Sequence, residues 1–263
     1  MASDIKRPGV MQSLLEFRAG VEGIALLGSY RVLLKATPGN GDPVLVIPGF
    51  TATDNGTFFL RRYLEKIGYD CYGWELGPNQ GLSELQFQQL EQRLDDIYQE
   101  TGRAVSVIGW NLGGLYARAL AGRHSHKVKR VISLAAPFAL PSLNGVSEAL
   151  SRLYSHYNSD GDIDALFNNA SEFWERSPPV PSSSIYSEGD GVINWRFCLD
   201  EPGRQTENIR VMGSHLGLLV NPLVFSVIAD RLAEDVEHWR PFAETHRGKF
   251  MWSSLLKNQT VSL

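Results

Sequence analysis

Gly109-Trp110-Asn111-Leu112-Gly113-Gly114 follows directly on an apolar run at residues 104–108 and opens into a helix-period segment at residues 112–121. A strand that turns abruptly into a helix, with glycine on both sides of one polar residue, has the G-x-S-x-G frame of a nucleophile elbow, here with Asn where the serine stands. The frame needs small flanking residues because its central residue sits in a strained turn with strand and helix packed close around it. Gly109 and Gly113 meet that need. A strand-to-helix joint is often glycine-rich, so the rest of the chain must supply the context.

Working outward, short apolar runs alternate with helix-period segments from Pro43 onward, the pattern of a parallel sheet with crossover helices. Val44-Leu45-Val46-Ile47 is largely β-branched and stopped by Pro48-Gly49, which predicts a strand buried on both faces. A second strand is expected over 69–76. Leu82, Leu85, Leu90, Leu94, Ile97 and Tyr98 then recur at helical spacing, with Ser83 near the cap and Gly102 at the end. The helix after Asn111 is expected to close at Gly122, and further strands are expected over 128–135, 184–186 and 209–212. Asn221-Pro222 predicts the start of a last helix burying Leu223, Val227, Ile228, Leu232 and Val236. The expected architecture is α/β, a mostly parallel central sheet with helices on both faces. Residues 43–138 and 182–242 form its core, after a helical lead-in over 1–42. A small helical cap insertion falls at 139–181 and a tail at 243–263.

Ligands of open parallel sheets bind outside the carboxyl ends of the strands. The run Glu188-Gly189-Asp190-Gly191 puts an acid just past one expected strand end, and Gly213-Ser214-His215 puts a histidine past the last. Asn111, Asp190 and His215 therefore stand in the order nucleophile, acid, histidine. His124, His126, His156, His238 and His246 are worse placed, after helices, in the insertion or past the last strand. Pro48-Gly49-Phe50 ends the first strand, and with the residue after the elbow it nominates the main-chain N–H groups of Phe50 and Leu112 as an oxyanion hole. Such donors carry about 2.7–4 kcal/mol each in mutational tests. Trp110, Phe138 and Leu140 are the candidates to line an apolar substrate pocket, with the apolar side chains of the insertion above them.

The whole-chain figures narrow the function classes. A net charge of −4 on 263 residues gives no broad positive field for nucleic acid. The basic group His124, His126, Lys127, Lys129 and Arg130 predicts a solvated turn. Two cysteines, Cys71 and Cys198, are too few for a disulfide framework, although one bridge between them is open. No spacing for metal ligands, no G-x-G-x-x-G after the first strand and no P-loop occurs, so no cofactor and no metal are expected. The most apolar early stretch, 19–34, is interrupted by Glu22, Gly23, Gly28 and Arg31 and is too short to span a bilayer. The polar first residues lack the apolar core of a signal peptide, and a cytoplasmic location is the expectation.

The linked motifs resemble bacterial α/β-hydrolases of the esterase and lipase kind. In that family a V-L-V-I-P-G-F strand end, a G-W-x-L-G-x-N-x-G loop, G-W-S-L-G-G, Y-S-x-x-D-G-V and G-S-H-x-G-L follow in order. Here these stand at 44–50, 73–81, 109–114, 186–192 and 213–218, and the resemblance runs over about 43–242. It implies a carboxylic-ester hydrolase, acting on a small-molecule ester or apolar acyl substrate, whose triad is position 111, Asp190 and His215. The departure is Asn111 itself. Its amide has no ionisable proton and cannot form an acyl-enzyme by the serine–histidine route, which leaves only ~10³–10⁴-fold catalysis over water. Position 111 is then a serine that has been replaced, or the chain is a natural pseudoenzyme that binds a small apolar ligand. A third reading has His215 and Asp190 activate water or abstract a proton without a serine. A fourth, Asn in place of the Asp of a dehalogenase-like or epoxide hydrolase, fits the surrounding glycine frame least.

Overall fold

In a computed structural model the residues described are 8–139, 176–201 and 203–245. Six strands, β1 (Pro43–Ile47), β2 (Asp70–Gly73), β3 (Val105–Trp110), β4 (Val128–Leu134), β5 (Ser182–Tyr186) and β6 (Thr206–Arg210), form one sheet in the order β2-β1-β3-β4-β5-β6. Every described pair is parallel. Order reverses at β1, where the chain first goes to one edge and then crosses back to β3, so the carboxyl ends of β1 and β3 face each other across the switch point.

Alternation along the strands fills both faces. Leu45, Ile47, Val107 and Val131 pack on one side, under α4 (Glu84–Thr101) and α5 (Leu112–Arg123). Val44, Val46, Ile108 and Ile132 pack on the other, under α2 (Ala19–Leu33), α3 (Phe58–Lys66) and the final helix, α6 (Pro222–Ala233). A short helix, α1 (Val10–Leu14), and a 3-10 turn, Leu15–Arg18, lead into α2. The α4 boundaries follow the expected chemistry. Ser83 accepts from the Gln86 N–H, and Gly102 takes the left-handed conformation (φ 64°) that ends the helix. Asn221 caps α6 by accepting from the Leu223 N–H, with Pro222 in the first turn.

The structure corrects the sequence reading at several points. Helix α5 runs through Gly122 to Arg123, because the chain stays hydrogen-bonded to His124, whose N–H reaches Leu120 O. Strand β6 lies at Thr206–Arg210, not 209–212. It is an edge strand, and its polar outer residues disguise it. Val236 lies beyond α6, and Val224 takes the buried place expected of Leu223. Arg130 is no solvated turn residue: it is buried in β4 and donates to the carbonyls of Arg231 and Glu234. Burial lowers its pKa to about 10. Leu140, most of the expected insertion and most of the expected tail lie outside the described residues.

Cys71 and Cys198 are both free thiols. Burial pushes both up, aided at Cys71 by the carboxylates of Glu65 and Asp70 and at Cys198 by Asp190. The thiolate is the reactive form, so both should resist iodoacetamide at mildly alkaline pH in the native protein and label together on denaturation. Mass spectrometry of alkylated protein reads this, and rapid native labelling of Cys198 would contradict the burial.

Candidate active site

Four non-glycine residues among those described have positive φ, and each follows the carboxyl end of a different strand: Thr51 after β1, Glu75 after β2, Asn111 after β3 and Ala135 after β4. Backbone strain costs of order 1–3 kcal/mol per residue and persists only where the surroundings enforce it. At Asn111 (φ 54°, ψ −123°) the enforcing contacts can be named. A Cβ on Gly113 would lie 2.4 Å from Ile47 O, and one on Gly109 would lie 2.2 Å from Gly113 O. Strand β1, strand β3 and helix α5 therefore meet backbone to backbone. Gly113→Ala should cost about 1–3 kcal/mol or more, since main chain on both sides cannot yield. Chemical denaturation measures it, and an unchanged midpoint would mean that the elbow is looser than this.

The turn aims Asn111 at His215. Asn111 Nδ2 lies 2.8 Å from His215 Nε2, and His215 Nδ1 lies 2.7 Å from Asp190 Oδ2. The remaining Asp190 oxygen accepts from the N–H groups of Val192 and Ile193 at 2.8 and 2.7 Å, which fixes the carboxylate. All three residues are buried. With Nδ1–H donating to the carboxylate, Nε2 presents a lone pair and accepts from the Asn111 amide. The other end of that amide, Oδ1, accepts from the Leu112 N–H at 2.7 Å. This orientation is the consistent one, because a flipped amide would set its NH2 against the Leu112 N–H. Asn111 thus joins the imidazole to the very amide nominated for the oxyanion.

The loop after β1 closes over the same point. A Cβ on Gly49 would lie 2.6 Å from the Trp110 ring and 2.9 Å from Asn111 Cβ, so residues 48–50 lie directly against the elbow. Phe50 is buried there. Asn79, whose role the sequence reading did not identify, holds this loop. Its amide donates to Pro48 O, its carbonyl side accepts from the Gly81 N–H, and its main chain exchanges bonds with Thr51 and Ala52. Asp54 ties the same loop to the one after β2 by accepting from the N–H groups of Trp74 and Glu75.

Of the pocket candidates, Trp110 lies with its ring 5.2 Å from the imidazole of His215. Phe138 is buried with the Arg118 guanidinium 3.9 Å over its ring, beside the buried Arg118–Asp200 ion pair. Among the described residues no group of three or more His, Cys, Asp or Glu side chains is placed to hold a metal ion, and no helix is long and apolar enough to cross a membrane.

Sequence reasoning missed the N-terminal residues that brace the site. Glu16 accepts from three main-chain N–H groups: Gly191 in the acid loop, and His215 and Leu216 in the histidine loop. Arg18 donates to Gly189 O and Gly213 O, again one carbonyl from each loop. Glu22 takes the Ser214 N–H and hydroxyl. These partners lie some 170–200 residues away along the chain, so no local pattern announces them.

No family model matches the chain, and no curated protein matches it. Solved structures do. Aspergillus fumigatus lipase B superposes with a TM-score of 0.59 at 18% identity over 76% of this chain, which spans 55% of that protein. One of two metagenome-derived lipolytic enzymes, reported as LipS and LipT, gives 0.56 at 17% identity, covering 75% of this chain and 94% of that one. A mature Bacillus licheniformis lipase gives 0.54 at 19% identity, with 74% and 94% covered. At these identities the likeness is one of fold, and the fold is that of the α/β-hydrolases.

Proposed function

We propose that this α/β-hydrolase-fold chain carries an ester-hydrolase site, with position 111 as nucleophile position, His215 as its base, Asp190 as the orienting acid, and the Phe50 and Leu112 amides as the oxyanion hole. The observation that carries this reading is the continuous relay Asp190–His215–Asn111–Leu112 N–H, with contacts of 2.7–2.8 Å. A base must sit within hydrogen-bond reach of the group it deprotonates, and His215 sits that close to position 111. The lipolytic proteins that share the fold support esters as the substrate class.

As written, the site is filled by its own side chain. Asn111 Oδ1 occupies an oxyanion donor and Nδ2 occupies the lone pair of the base. This favours a binding or latent form of the site over turnover by the unmodified sequence. It also weighs against activation of water by His215, because Nε2 must first lose the Asn111 amide. The experiment is covalent labelling of Asn111→Ser by a fluorophosphonate, located at residue 111 by peptide mass spectrometry. A folded variant that takes up no label would reject the assignment.

A further inference from the structure

From Met11 to Gly28 the N-terminal segment is apolar on both sides, with Leu26 packed into the core and further large apolar residues facing out. Its charged residues, Glu16, Arg18 and Glu22, all turn inward onto the acid and histidine loops. Its solvent side carries Met11, Leu14, Phe17, Val21, Ile24 and Leu27, with Phe17 86% and Leu27 76% exposed among the described residues. Surface helices place their apolar stripe toward the core and their charges toward water, so this outer face has the composition of a covered one. These side chains expose on the order of 800 Å², above the few hundred Å² usual for a monomer's apolar patch.

We infer that the outer face of α1 and α2 pairs with the same face of a second copy of this chain. Three observations select that occupant. A two-fold interface uses one patch twice, and a stable one buries about 800 Å² on each partner, which is what the stripe offers. The stripe is also the width of one helix and follows α2 along the flank of the sheet. The side opposite the stripe is the anchored one, where Glu22 bonds to Ser214 beyond β6 and the Leu33 carbonyl accepts from Tyr63 in α3. Finally, Gly20 and Gly28 interrupt it at places where a Cβ would meet nothing within 4 Å. Such gaps admit the ridge of another helix at close approach, with Phe17 the most exposed projection available to fill one. A lipid surface would find a single exposed cation in α2, Arg31 in its last turn, and no use for the two gaps.

The test is the mass of the full chain by sedimentation and by light scattering after gel filtration, from low micromolar concentration upward. The expected result is twice the chain mass, falling to the single mass in Ile24→Lys and in Gly28→Leu, with helical content kept and melting no longer dependent on protein concentration. Gly28→Leu is the decisive variant. Leucine favours helix over glycine, so the substitution blocks close approach without weakening α2. A single mass at all concentrations overturns the proposal, as does a dimer that survives both substitutions. Flotation of a single-mass protein with phosphatidylcholine–phosphatidylglycerol vesicles would assign the face to lipid instead.

Discussion

Asn111→Ser is expected to raise hydrolysis of an activated aryl ester by about 10⁴- to 10⁶-fold over the unmodified chain, the span that loss of a triad member costs in a serine hydrolase. Two changes act together. Serine supplies a hydroxyl that His215 can deprotonate, and its shorter side chain gives up the Leu112 N–H that Asn111 Oδ1 now occupies at 2.7 Å. Asn111→Ala separates the two effects, since it opens the hole without adding a nucleophile and should leave hydrolysis near background. Asn111→Ser combined with His215→Ala should also return to background if the imidazole is the base. The gain comes with a small loss of stability. Asn tolerates positive φ better than most residues and here satisfies two buried partners, so its replacement should cost about 1–2 kcal/mol, read as a lower melting temperature. An Asn111→Ser protein that folds, melts slightly earlier and hydrolyses nothing would leave the fold intact and remove the esterase reading.

The parts of the molecule that could be read from the sequence are those whose physics is local. The uninterrupted apolar run at β1, the left-handed glycine after α4, the Asn-Pro start of α6 and the glycine frame around Asn111 each reflect a constraint acting within a few residues. The order of Asn111, Asp190 and His215 added the one long-range rule available, that of the fold. What escaped is set by tertiary contact. Strand β6 presents Thr206, Glu207 and Asn208, which suit a sheet edge and read as loop. Helix α3 was not anticipated, although Leu60, Tyr63 and Leu64 form its buried face. The N-terminal helices were the hardest to interpret, because their charges face inward. A pattern that asks which face is apolar points the wrong way there, and Glu16, Arg18 and Glu22 find partners only once the last strand and its loop are in place. The strained residues after β1, β2 and β4 also escaped, since Thr51, Glu75 and Ala135 carry no signature of positive φ.

Glu16→Ala, made in the Asn111→Ser background, should lower kcat by about 10²-fold, the loss that a misplacement of about 1 Å in a reacting group can cause. Glu16 does not touch the position of the scissile bond. It accepts the N–H of Gly191, one residue after the acid, and the N–H of His215 itself, both through Oε1 at 2.8 and 2.9 Å. One oxygen therefore fixes the spacing of the two loops that carry Asp190 and His215. Oε2 then takes Leu216 N–H at 3.0 Å. Without the carboxylate, Ser187 Oγ to Gly213 O and the Arg18 bonds still join the loops, so the fold should survive at a cost of about 2–4 kcal/mol, less than three independent charge-assisted bonds would give. A positioning role predicts that kcat falls while KM changes little, and that the imidazole N–H resonance of His215, held by Asp190 at 2.7 Å, broadens or exchanges faster with water. Glu16→Gln should lie between the two, because its carbonyl can keep the shared contact to Gly191 and His215 while its NH2 cannot accept from Leu216. If Glu16→Ala loses stability but keeps both kcat and the sharp imidazole resonance, the N-terminal segment is a structural strap alone, and the alignment of acid and histidine is set by the sheet and the loop bond at Ser187.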